Sequence, residues 1–175
     1  MVALFAWWWP QAPDGDETRS TGRGEPSPST SPGTAENSDE LLVSFQGMEP
    51  GDSIETMPNA VLDVQVEYRN LSGKHQKNVS LHVGLPSEMT LVRGTERILN
   101  TSNVNGRLLD AELTGPGVDI GGYLPEGNAF VVFSIRVDGP DSFTCNPRTL
   151  TPQVVLTSGG ETVSDELITR VVKRC

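Results

Sequence analysis

The sequence predicts an all-β chain: an immunoglobulin-like antiparallel β-sandwich of about seven to nine strands, placed after a disordered N-terminal tail. Three observations predict this class. Several short runs alternate apolar and polar residues at period two. The chain carries 18 glycines and 13 prolines, ordinary for a β-protein with many turns and many for a helical one. No stretch forms a persuasive amphipathic helix.

The 175 residues suit one domain plus a tail. The opening "MVALFAWWWPQ" is uncharged and ends in a tryptophan cluster. A membrane-spanning helix needs about 20 apolar residues, and Val2 to Trp9 supplies fewer than half of them. A secretory signal would need a basic start and a small-residue cleavage site, and both are missing. Tryptophan does favour the membrane interface, and Asp14, Asp16 and Glu17 against Arg19 fit its non-cytoplasmic side. Residues 1–10 are therefore expected to be the remnant of a membrane anchor, with Met1 inside a longer apolar segment. The alternative is a short exposed apolar tag.

Residues 11–40 read "QAPDGDETRSTGRGEPSPSTSPGTAENSDE", rich in Ser, Thr, Pro, Gly and Glu. No aliphatic residue there is larger than alanine. Such a segment cannot bury enough surface to offset its ordering entropy, so a disordered linker is expected. A plain spacer is its simplest role. Its "PSPSTSP" core could also carry O-linked sugar.

The folded domain is expected over residues 41–175. "ELLVSF" opens it. "VLDVQVEYR" then puts Leu62, Val64, Val66 and Tyr68 on one face and Asp63, Gln65, Glu67 and Arg69 on the other, the pattern of a half-buried strand. "NVSLHV" repeats it with Val79, Leu81 and Val83, after a hairpin loop "NLSGKHQK". "TLVRGTERIL" reads as one further strand. "NAFVVFSIRV" aligns Ala129, Val131, Phe133, Ile135 and Val137, while Phe130 and Val132 make its first half apolar on the other side too, as in a central strand. "TPQVVLTS" and "TVSDELITRVV" close the set around the turn signal Ser158-Gly159-Gly160.

These residues resemble a known family. The stretch from about Val61 to Val172 is similar to a bacterial surface repeat, the DUF11 or conserved-repeat domain. Asn70 and Gly73 match its first turn, and Asn78-Val79 with Leu85-Pro86 match its next strand and strand end. Gly94-Thr95 stands at its Gly-Ser step. Ile120-Gly121 and Leu124-Pro125-Glu126-Gly127 match its late motif. Ser87-Glu88 departs from the pattern, and only one copy is present. The resemblance implies a sandwich displayed at a bacterial cell surface. The same residues also make sense physically: Leu85-Pro86 ends a strand because proline cannot donate to a ladder, and "LPEGN" suits a turn.

The search for chemistry yields little. A formal charge of −10 argues against nucleic acid and anionic lipid, which need basic surfaces. His75 and His82 lie in a loop and on a polar strand face, and no serine sits in a nucleophile elbow. Asp110, Glu112 and Asp119 share one loop region, but nothing pairs them. No catalytic residue and no cofactor is therefore expected. Asn103, Asn105 and Asp110 are weak calcium candidates, as are Asp138 and Asp141, though ordinary turn residues are the default. Asn70, Asn78 and Asn100 stand in N-x-S/T sequons, which matter only in a eukaryotic secreted protein.

Cys145 and Cys175 have no zinc-site spacing. In an exported protein two such cysteines most simply form a disulfide, and two unrelated thiols are the alternative. The expected protein is a non-enzymatic cell-envelope module outside the membrane, structural or adhesive, with a protein or envelope partner and an N-terminal membrane anchor. The alternative is a ligand- or metal-binding ectodomain of a sensory or scaffold protein.

Overall fold

The structure is a computed structural model and describes residues 39–175 except Ala111. The anchor and almost all of the linker expected upstream lie outside the described residues. Asp39 and Glu40, assigned above to the linker, are described, and Glu40 opens the first strand.

The strands are β1 (Glu40–Phe45), β2 (Ser53–Thr56), β3 (Val61–Arg69), β4 (Gln76–Gly84), β5 (Met89–Leu91), β6 (Arg97–Asn100) and β7 (Asn103–Leu108). They continue with β8 (Val118–Tyr123), β9 (Asn128–Val137), β10 (Arg148–Leu150), β11 (Gln153–Ser158), β12 (Glu161–Glu166) and β13 (Ile168–Val171). One layer has the order β1-β3-β9-β6-β7, with β5 sharing the β6 edge of β9. The other contains β12-β11-β4-β8 and β10-β13-β2.

These last two groups are one ribbon. The hairpin keeps a single register from Arg148 opposite Val171 to Ser158 opposite Glu161. It is interrupted only where Pro152 cannot donate, and Leu167 N–H still bonds Pro152 O at 2.9 Å. The parallel pairing of β2 with β13 moves the start of the chain from one layer to the other. This is the two-layer immunoglobulin-like architecture that the alternation predicts.

The core follows the period-two pattern. Leu62, Val64, Val66 and Tyr68 from β3 meet Val79, Leu81 and Val83 from β4, with Val131, Phe133 and Ile135 from β9 and Val154 and Leu156 from β11. At the β1 edge, the Asp165 carboxylate of β12 accepts a hydrogen bond from Val43 N–H at 3.0 Å. A charge turned toward a strand edge in this way blocks pairing with a foreign strand.

The strand count is finer than the sequence suggests, for local reasons. "TLVRGTERIL" is two strands, because Gly94 has φ of 80° and the chain loops out between β5 and β6. Thr95 Oγ1 then accepts from Ser134 N–H at 3.0 Å, replacing the missing ladder bond. "TVSDELITRVV" divides at Leu167 into β12 and β13. Four short strands, β2, β7, β8 and β10, escape a reading by periodicity: β7 is an edge strand with little burial, β8 contains Gly121 and Gly122, and β10 is three residues long.

Candidate contact face

Asn70, Glu126 and Gly127, three of the residues behind the family resemblance, come together at one end of the sandwich. Asn70 is fully buried. Its Nδ2 donates to Lys74 O at 2.7 Å and Tyr123 O at 2.8 Å, and its Oδ1 accepts from Ser72 N–H and Oγ–H. Its backbone exchanges bonds with the second turn: Asn70 N–H donates to Gly127 O, and Glu126 N–H to Asn70 O. Side chain and backbone together thus clamp the exit of β3 to the entry of β9. The Asn70 sequon is closed to modification in the folded state. Asn78 is exposed, and Asn100 is half-buried with its Oδ1 accepting from Ser102 N–H and Asn103 Nδ2.

Two tyrosines complete this end. Their rings meet edge-on at 5.2 Å. Tyr123 donates to Ile120 O at 2.7 Å, and Tyr68 to Asp39 Oδ2 at 3.2 Å. Burial raises the pKa of both phenols.

Cys145 and Cys175 are joined in the structure, with Cα atoms 5.8 Å apart. Lys173 pins the same C-terminal segment, donating to Pro140 O at 2.8 Å and Phe143 O at 3.0 Å. The calcium candidates are drawn out along an extended strand. Asn103 begins β7, Asn105 lies within it and Asp110 follows its end, where it faces Arg107 at 3.8 Å. Asp138 accepts from Ser142 Oγ at 3.4 Å. Glu112 pairs with Arg93, and the Asp119 carboxylate accepts Gly121 N–H. His75 is exposed in the β3–β4 loop, and His82 lies half-buried on the outer face of β4, away from it.

The outer faces of the two layers differ in chemistry. That of the β11 layer is polar: Ser80, His82, Thr157, Thr162 and Ser164 with Val155. That of the β9 layer is not. Cross-strand pairing places Leu42, Glu67, Phe130 and Leu99 in one row, and Ser44, Gln65, Val132, Arg97 and Leu108 in the next. Phe130, Val132, Leu99 and Leu42 are half-buried, and Leu108 is 44% exposed. Beside the second row runs a groove of about 360 Å³, open to solvent and lined by residues including Asp63, Thr95, Arg97, Val132 and Ser134.

Sequence reasoning noticed Phe130 and Val132 and explained them by a central strand. β9 is central, yet Phe130 and Val132 on its outer side stay partly exposed. The missing signal was the register, which alone aligns Leu42, Leu99 and Leu108 with this pair.

No family model matches the chain, and no curated protein matches its sequence. Among solved structures, a putative membrane-anchored protein from Corynebacterium diphtheriae is similar, with a TM-score of 0.54 at 10% identity; the match covers 79% of this chain and 36% of that one. A variant of BcpA, the major pilin subunit of Bacillus cereus, gives 0.51 at 9% identity, covering 77% and 40%. The chain thus spans well under half the length of either. At these identities the likeness concerns the fold.

Proposed function

We propose that this chain is a non-enzymatic module of the cell surface, structural or adhesive, which works by contact through the outer face of the β1-β3-β9-β6-β7 layer. The observation that carries the reading is that face. Period-two strands of a sandwich normally present polar side chains to water, yet here five apolar side chains from four strands gather on one outer face, with Glu67, Gln65 and Arg97 set among them. Binding by surface complementarity uses such a patch with a polar rim.

Three further features support the reading. A Cys145–Cys175 bridge suits an oxidising compartment. The fold is shared with a pilin subunit and with a protein described as membrane-anchored. Asn70, Glu126 and Gly127, which carry part of the resemblance to a surface repeat, form a turn clamp. On this reading the upstream residues tether the domain to the membrane.

Labelling intact cells tests the location. A membrane-impermeant amine reagent should reach the exposed Lys74 and Lys77 of the full-length protein without lysis. Labelling only after lysis, together with two free thiols in the protein, would overturn the proposal.

A further inference from the structure

We infer that the contact face pairs with a second copy of itself, around a two-fold axis running nearly along β9. The inference deepens the reading above, because it rests on that face being the contact surface. Two arguments select a second copy as the occupant.

The first is charge. The chain carries −10, so two copies repel over most approaches. This face is balanced: Glu40, Asp63 and Glu67 stand against Arg69, Arg97 and Arg136. Copies therefore approach here with no net charge on the face, although an axis along β9 also brings Arg136 near its own counterpart at the far end of that strand.

The second is the arrangement of those charges. A two-fold axis along β9 exchanges the β3 column of one copy with the β6 column of the other. Phe130 and Val132 then meet their own counterparts on the axis. Gln65 and Arg97 both pair with Val132, from opposite sides. Arg97 of one copy therefore lies over Gln65 of the other, between Glu67 and Asp63, about 7 Å along the strand on either side. The same contact occurs twice by symmetry. Within one copy Arg97 has no ion-pair partner among the described residues, whereas Arg69 has Glu40 at 3.2 Å and, more loosely, Glu67 at 4.0 Å. The β1 and β7 columns exchange in the same way, which sets Leu108 beside Ser44 and Leu42 at the rim. Tilting the axis by about 15° gives the roughly −30° crossing of aligned sheets and leaves these central contacts in place.

The size of the face sets the strength. Five strands span about 24 Å, and the strand length in the patch is about 20 Å, so roughly 1,000 Å² is buried over both copies. That is the lower limit for a specific interface, so the association is weak and reversible.

Sedimentation velocity of the full-length chain tests this. The expected result is a monomer–dimer equilibrium with a dissociation constant of roughly 10–100 µM. Arg97→Glu should weaken it at least tenfold, and Arg97→Glu combined with Glu67→Arg should restore it to within about threefold. Phe130→Glu should abolish the dimer, with an unchanged far-ultraviolet spectrum showing that the variant folds. A monomeric wild type, or a double variant as weak as Arg97→Glu alone, overturns the inference. So does loss of the dimer on replacing Trp7, Trp8 and Trp9 by serine, which would assign association to the N-terminal segment. A monomer that is still labelled on intact cells would sink the pairing and leave the surface role standing. A dimer found in the cytosol would do the reverse.

Discussion

Replacing Asn70 by alanine tests whether the turn clamp holds the two layers in register. In the folded protein the substitution removes the two donors to Lys74 O and Tyr123 O, and the acceptor for Ser72. The bond to Tyr123 O is buried, so losing that donor costs about 1–3 kcal/mol. The part-buried bonds to Lys74 and Ser72 add about 0.5–1.5 kcal/mol together. The expected loss is about 3 kcal/mol. With a urea slope of about 1.5–2 kcal/mol/M, the unfolding midpoint should fall by about 1.5–2 M. Asn70→Asp sharpens the test. It keeps the acceptor but turns a carboxylate oxygen toward two carbonyls, so at pH 7 it should be at least as damaging as alanine. Protonation below about pH 4 should recover part of the loss, since the neutral acid supplies one O–H. A midpoint shift below about 0.5 M for both variants would refute the reasoning and reduce Asn70 to an ordinary turn residue.

Cutting the bridge by Cys145→Ser with Cys175→Ser should cost about 3–4 kcal/mol in the chain-entropy model, given the 30-residue separation, with the fold retained in far-ultraviolet dichroism. No change in the melting temperature would remove the tether's stabilising role. Stability should also fall as pH rises above about 10. The unfolded tyrosines release their protons near that pH, while burial keeps Tyr68 and Tyr123 protonated in the folded state, so alkali favours unfolding. Tyr68→Phe should flatten the alkaline limb of the stability curve relative to its own neutral value, and an unchanged slope would show that Tyr68 does not couple to folding.

The sequence by itself determined the class of this fold and its interior. Leu62 to Tyr68, Val79 to Val83 and Ala129 to Val137 alternate at the period of a strand, and alternation decides which side chains leave water wherever the chain folds into layers. Proline and glycine at Leu85-Pro86 and "LPEGN" marked the turns, because the backbone constraints of those residues are local. Only the tertiary structure decided the rest. Asn70 reads as a polar turn residue, and its burial depends on Tyr123, which is remote in sequence. Breaks within long strands depended on which neighbour could take over a ladder bond, as Thr95 does for Ser134. The contact face emerged only from register, since Leu42, Phe130, Leu99 and Leu108 belong to four strands and no periodicity within any one of them reports on the others. Hydrophobic pattern is a property of a segment, whereas a face is a property of how segments are aligned.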